Sequence, residues 1–408
     1  MSLLNRRQFT GAAVAFGARA SHLWGATGID DTLRGSMQRR KIPAVAAMAA
    51  TAAKTTYSGA FGKRDSASGV DVRVDSLFAI ASMTKAITTT AALQLVERGK
   101  LTLDEPASKH LPELGKLNVL EGFDSAGKPK LRPAVKPVTL RNLLTHTSGF
   151  AYDTWDADIL RYTSQEGGAI PPGTVAPLVP LAFEPGTRWQ YGYGLDWAGR
   201  LVETASGQTL EQYFQANILQ PLGMKDTSFI LPAGKFDRLV SVYTRQSDGA
   251  LKQNPRTMPA PPKAFNGGGG LFSTAPDYVR FMQMILNQGR AGKEQILQPK
   301  TVEMMSTNQV GALAAGRLNT ARPAVSSDVD FHPGATDKYT FGFLMNPTAY
   351  EGGRSAGSLA WAGVYNTYYW IDPRRSLCAV VMMQFLPFAD KEGVGLLGDF
   401  EKAVYANA

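Results

Sequence analysis

Leu77-Phe78-Ala79-Ile80-Ala81-Ser82-Met83-Thr84-Lys85-Ala86-Ile87 is the stretch on which the reading of this 408-residue chain turns. A serine and a lysine three residues apart lie on one face of a helix, about one turn from each other. If that face looks into a cleft, the amine can take the hydroxyl proton and leave the serine a nucleophile. Ile80, Met83, Ile87, Ala91 and Leu95 recur at helical spacing, which predicts a helix from about Met83 to Arg98 that stops at Gly99. Ser82 then falls at the helix N-terminus, where free N–H groups and the positive end of the dipole suit a developing negative charge. The alternative is a plain helix cap, because serine is favoured at that position without any chemistry.

Outward from this stretch, the pattern before it reads as a helix from Ile29 to Arg40 and two strands, Ala44 to Ala53 and Thr55 to Phe61. After it, residues 101 to 265 are proline-rich, with short helices at Val138–Leu144, Gly194–Ala205 and Leu210–Ile218. Asn266-Gly267-Gly268-Gly269-Gly270 marks a close-packed backbone turn that leads into a helix from Ala275 to Asn287. No Gly-Lys-Ser/Thr follows these glycines, which argues against a phosphate loop. The last third is rich in strand signals, at Tyr339–Met345, Val364–Ile371 and Leu377–Phe385, and closes with a helix from Val394 to Ala406. Strands at both ends with helices between them predict an α/β fold whose antiparallel sheet is built from both termini and flanked by helices. The expected division is 27–80 with 266–408 as the α/β domain, and 81–265 as an inserted, mainly helical domain with the nucleophile helix at the interface.

Composition narrows the function. Hydrophobic residues at 44% and charged residues at 19% describe an ordinary folded protein of enzyme size. The net charge of +9 is spread over scattered Lys and Arg with no basic run between aromatics, so no nucleic-acid partner is expected. Four well-separated histidines offer no metal-ligand spacing, and neither a metal nor an organic cofactor is expected. The single cysteine, Cys378, lies in an apolar strand-like run and reads as core. No apolar window of membrane-spanning length occurs. At the N-terminus, Arg6-Arg7 and Phe9 before a weakly apolar run resemble a twin-arginine export signal over residues 1–26. Such a signal would make the protein periplasmic or secreted; a merely basic N-terminus would leave it cytoplasmic.

Two other serines compete on letters. Gly353-Arg354-Ser355-Ala356-Gly357 fits the G-x-S-x-G elbow, which needs a strand before the serine and a helix after it. Its context is a glycine-rich loop that leads into a strand, so it reads as a turn. Ser125-Ala126-Gly127-Lys128 also fits S-x-x-K, but Asp124 and Pro129 make it a turn as well.

An ordered set of motifs then carries a resemblance. Ala81-Ser82-Met83-Thr84-Lys85 is followed by Leu140-Arg141-Asn142-Leu143-Leu144-Thr145-His146-Thr147-Ser148-Gly149 and by Tyr191-Gly192-Tyr193-Gly194-Leu195-Asp196-Trp197-Ala198-Gly199. Gly268-Gly269-Gly270-Leu271-Phe272-Ser273-Thr274 and Trp361-Ala362-Gly363-Val364 complete it. From about Ile29 to Phe385 the chain resembles the serine β-lactamase-like superfamily of S-x-x-K enzymes, and most of all its family VIII carboxylesterases, related to class C β-lactamases. The resemblance implies a β-lactamase-like fold, Ser82 as the acylated nucleophile, Lys85 as its base and Tyr191 as a proton relay. It also implies an oxyanion hole formed by the backbone N–H groups of Ser82 and Val364. His146 falls in what resembles a structural turn of the superfamily, and with a lysine base in place no histidine is required.

The departures from the family pattern bear on the substrate. Tyr193 stands where β-lactamases carry the asparagine of Tyr-x-Asn, and Trp361-Ala362-Gly363 stands in place of Lys-Thr/Ser-Gly. Losing that cation removes a charge-assisted contact to an anionic substrate, and the indole offers an apolar wall instead. The expected activity is hydrolysis of short- to medium-chain carboxylic esters through an acyl-enzyme, with Tyr193, Trp361, Gly363, Tyr152, Trp155 and Tyr365 around a small-molecule ester. The alternatives are a β-lactamase or D-amino-acid peptidase, an acyltransferase on the same scaffold, or a penicillin-binding domain that does not turn over.

Overall fold

The computed structural model describes residues 26–408 apart from 166, 167, 169 and 172, so the twin-arginine segment lies outside the described residues. Seven strands form one antiparallel sheet: β1 (Ala44–Thr51), β2 (Thr55–Gly62), β3 (Lys338–Tyr339), β4 (Leu344–Met345), β5 (Leu359–Gly363), β6 (Thr367–Asp372) and β7 (Leu377–Met382). Their spatial order is β3-β4-β5-β6-β7-β1-β2, so β1 from the start of the chain pairs with β7 from its end. This is a large antiparallel sheet with helices on both faces, as the resemblance implies.

Five longer helices position the rest: α1 (Ala26–Arg40), α2 (Thr84–Glu97), α3 (Gly194–Ser206), α4 (Ala275–Leu286) and α5 (Lys391–Ala406). Alternation along β6 shows which face each helix covers, because neighbouring side chains of a strand point to opposite faces. Trp370 packs edge-to-face on Phe400 of α5, whereas Tyr369 meets Tyr278 of α4. With both faces covered, β6 and β7 are buried along their whole length, which is why they read as apolar runs rather than alternating ones. Helix α2 lies deeper still, with every side chain from Thr84 to Leu95 buried.

Two strand expectations are corrected. The run Tyr339–Met345 is not one strand but a hairpin of β3 and β4. It turns at Gly342, whose φ of 86° suits glycine and whose missing Cβ leaves room for the Thr89 side chain of α2. The predicted strand Val364–Ile371 begins three residues late: β5 ends at Gly363, and Val364, Tyr365 and Asn366 form the turn into β6. Asn366 holds that turn with a φ of 61° and donates from its amide to the carbonyls of Phe385 and Pro387.

One buried ion pair fastens the loop before β5 to α5. Arg354 donates from its backbone N–H and from Nε to Glu401, each at 2.9 Å, and both side chains are buried. Glu401→Gln strands the guanidinium charge, and removing one partner of such a pair costs about 3–5 kcal/mol. The expected result is a loss of unfolding free energy of about that size in a urea titration.

Candidate active site

The turn that carries Ser82 owes its shape to the backbone around it. Ala81 has a φ of 44°, a left-handed conformation that a non-glycine residue adopts only when its surroundings impose it. Two short strands impose it here, as Phe78–Ala79 pairs with Phe272–Ser273 and Ile80 N–H donates to Leu271 O at 3.0 Å. Ser82 lies in a single 3-10 turn, Ala81–Met83, and α2 starts at Thr84. Neither helical segment uses a side-chain cap, so the plain-cap alternative for Ser82 does not hold. Its side chain is half-buried, and its Oγ lies 3.1 Å from Lys85 Nζ.

Lys85 is fully buried and, among the described residues, forms no direct ion pair. An ammonium so placed is costly unless polar groups surround it. Three oxygens do: Ser82 Oγ, Tyr152 Oη at 3.2 Å and Gly268 O at 2.6 Å. The glycine run supplies the last of these because its backbone lies flat along α2, where Thr88 Oγ1 also donates to Gly267 O at 2.6 Å. Tyr152 Oη in turn donates to Asp196 Oδ2 at 2.8 Å. Asp196 stands in the first turn of α3, fully buried, where the helix dipole favours negative charge.

The expected relay through Tyr191 is corrected in its geometry. Tyr191 is buried in the site, but it presents its ring to Lys85 Nζ, 4.7 Å from the centroid, and its hydroxyl accepts from Trp361 Nε1 at 3.3 Å. The phenol hydrogen-bonded to the lysine is Tyr152, expected only as apolar lining. Trp361 is buried against Tyr191 with ring centroids 4.9 Å apart. Trp155 packs on Tyr191 at 5.1 Å and Tyr193 on Tyr152 at 4.3 Å, both half-buried, so these rings cluster beside Lys85. Gly363 packs against Ile80 O so closely that a Cβ would collide with it, which brings the end of β5 beside the nucleophile turn. Val364 follows at once, and among the described residues neither its N–H nor that of Ser82 has a backbone partner. Tyr365, also expected as lining, lies half-buried in the same turn with its carbonyl bonded to Phe385 N–H.

The competitors fall away on geometry. Ser355 sits in a loop ahead of β5, its N–H donating to Asp372 at 2.8 Å, with no strand before it and no helix after it. Ser125 lies in the turn between two hairpin strands, Asn118–Phe123 and Pro129–Pro133. His146 accepts from Gly192 N–H through Nδ1 at 3.3 Å and packs its ring on Tyr191 at 4.7 Å. Burial, and then the charge of Lys85, lower its pKa well below the usual histidine range and keep it neutral. It braces Tyr191 and forms no hydrogen bond with Ser82 or Lys85 among the described residues.

Asp196 and Gly268 were missed as site residues, although both lie inside motifs that the sequence displays. The run of glycines was the readable signal, since it marks a close backbone approach. A Cβ on Gly268 would collide with Asp196 Oδ2 and lie 2.7 Å from Tyr152 Oη. Gly268→Ala is therefore expected to lower kcat/KM on p-nitrophenyl esters by about 10²-fold, the effect of displacing such a group by about 1 Å. Steady-state kinetics beside a thermal melt would check it.

Residues 29–397 match a family model described as Beta-lactamase. The chain is 33% identical to the monacolin J acid methylbutanoyltransferase of Aspergillus terreus over 396 residues, 93% of this chain and 95% of the relative. It is 34% identical to the lovastatin esterase of Penicillium rubens over 377 residues, 87% and 92% of the two chains. A solved variant of the simvastatin synthase of Aspergillus terreus superposes with a TM-score of 0.80 at 32% identity, covering 93% of this chain and 96% of that one.

Proposed function

The chain belongs to the β-lactamase family of serine-hydrolase-fold enzymes, and from that premise we propose that it is a carboxylesterase that passes short- to medium-chain acyl groups through Ser82. The observation that carries this reading is the buried Lys85 amine 3.1 Å from a partly exposed serine hydroxyl, without a carboxylate in direct contact among the described residues. Ser82 Oγ attacks the ester carbonyl carbon while its proton passes to the Lys85 amine. The carbonyl oxygen becomes an oxyanion, held by the N–H groups of Ser82 and Val364. The ammonium formed on Lys85 faces the rings of Tyr191 and Tyr152, whose centroids lie 4.7 and 5.2 Å away, and a cation–π attraction of about 1–2 kcal/mol supports it. Collapse expels the alcohol, which takes the proton from Lys85, and leaves the acyl group on Ser82. Water then attacks the acyl carbon, giving a proton to Lys85, and as the acyl–oxygen bond breaks Lys85 returns that proton to Ser82 Oγ, which frees the carboxylic acid and the serine.

Trp361 supports esters over lactams. It places a buried indole bonded to Tyr191 where a carboxylate-binding lysine stands in β-lactamases, and a neutral acyl chain suits such a wall better than an anion does. A second reading, in which an alcohol takes the place of water as acyl acceptor, has its own support: the relatives include a methylbutanoyltransferase as well as an esterase.

The test is mass spectrometry of the protein quenched during turnover of p-nitrophenyl butyrate, followed by product analysis with monacolin J acid added as acceptor. A butyryl mass on the Ser82 peptide, with butyrate as the main product, is the expected result. Dominant transfer to the alcohol would establish the second reading, and nitrocefin hydrolysis without ester turnover would overturn both.

A further inference from the structure

Lys85 Nζ has three oxygen neighbours, and a neutral amine has two N–H donors and one lone pair. Gly268 O can only accept, so it fixes one N–H. The remaining neighbours, Ser82 Oγ and Tyr152 Oη, are both hydroxyls, and each could either give its proton to the amine or accept from it. Only one arrangement is productive: Ser82 donates and Tyr152 accepts. In the reverse arrangement the phenol occupies the lone pair and the serine stays protonated. A phenol is the more acidic of the two hydroxyls, so left to itself Tyr152 would win that place.

We propose that Asp196 is the positioning residue that breaks this tie: it takes the Tyr152 proton in a hydrogen bond, leaves the phenol oxygen to accept from Lys85, and so aims the amine lone pair at Ser82. The bond is in place, Tyr152 Oη to Asp196 Oδ2 at 2.8 Å, between two residues whose polar ends are enclosed by Lys85 and Gly268. An ionised carboxylate accepts and never donates, which makes the direction unambiguous. Burial raises the Asp196 pKa above the usual carboxylate value, against the opposing pull of Lys85, the Tyr152 hydroxyl and backbone N–H groups. Burial and then the Asp196 charge push the Tyr152 pKa well above its usual value, so the phenol keeps the proton that it offers. Asp196 touches no reacting atom; it acts through Tyr152.

This inference rests on Ser82 and Lys85 acting as nucleophile and base, and the experiment separates the two claims. Acylation of Ser82 in the wild-type protein, read by mass, stands or falls with the function. The inference is read in a double-mutant cycle of Asp196→Leu and Tyr152→Phe, with kcat and KM for p-nitrophenyl butyrate and the thermal midpoint of each variant. Asp196→Leu alone is expected to lower kcat about 10- to 100-fold, with KM changed less than about threefold. In the Tyr152→Phe background, where no phenol needs orienting, the same change should cost no more than about twofold. Asp196→Asn, which keeps a carbonyl oxygen to accept the phenol proton, should recover most of the lost kcat. Equal losses in both backgrounds would overturn the proposal, because Asp196 would then act by another route. Should the leucine variant fail to fold, the asparagine variant decides: folded and within about threefold of wild type supports the orienting role, and folded but as slow as Lys85→Met overturns it.

Discussion

Lys85→Met is expected to lower kcat/KM on p-nitrophenyl esters by about 10³- to 10⁴-fold, the span associated with losing a positioned general base. Methionine keeps the length and flexibility of the stem and fills the same buried space, so packing changes little. It also removes an amine whose burial is itself costly, with no carboxylate in direct contact among the described residues. That removal offsets the loss of donors to Gly268 O and Tyr152 Oη, each of which costs about 1–3 kcal/mol when left unpaired in the interior. The thermal midpoint should therefore stay near that of the wild type while activity collapses. Folded protein retaining more than about a tenth of wild-type kcat/KM would remove Lys85 from the role of base.

Ser82→Ala should abolish turnover more completely, by about 10⁵-fold or more, because the covalent route itself disappears. Lys85 and the enclosing N–H groups remain, but no oxygen stands between them to be acylated. The same variant should lose labelling by a fluorophosphonate. Ser355→Ala is the matched control: its hydroxyl lies in a loop whose anchoring bond to Asp372 uses the backbone N–H, which alanine keeps. It should retain activity and labelling close to wild type. Persistent acylation in Ser82→Ala would mean that the nucleophile lies elsewhere.

Much of this site was legible because its information is local. Ser82 and Lys85 stand three positions apart, about one helical turn, and the helical repeat of Ile80, Met83 and Ile87 says which way the pair faces. The misreadings cluster where a tight turn replaced a continuous apolar run. Gly342 broke one expected strand into the hairpin of β3 and β4, and the Val364–Asn366 turn moved the start of β6. β-branched and aromatic residues on both sides of each turn look alike in sequence, and one left-handed residue settles the matter only once the partner strand is present.

What the sequence determined by itself is the serine, its lysine and the order of motifs that names the family, since each rests on residues within a few turns of backbone. Which phenol meets the lysine was decided by tertiary structure alone. Tyr152 lies 67 positions from Lys85 and Gly268 lies 183, and only the folded loops bring them to the same nitrogen. Tyr191 carries the motif yet turns its ring to the amine, because His146 and Trp361 pack on it from either side. Hydrogen-bond direction is a property of three-dimensional neighbours, and the carboxylate of Asp196 sets it here through a contact that spacing along the chain does not encode.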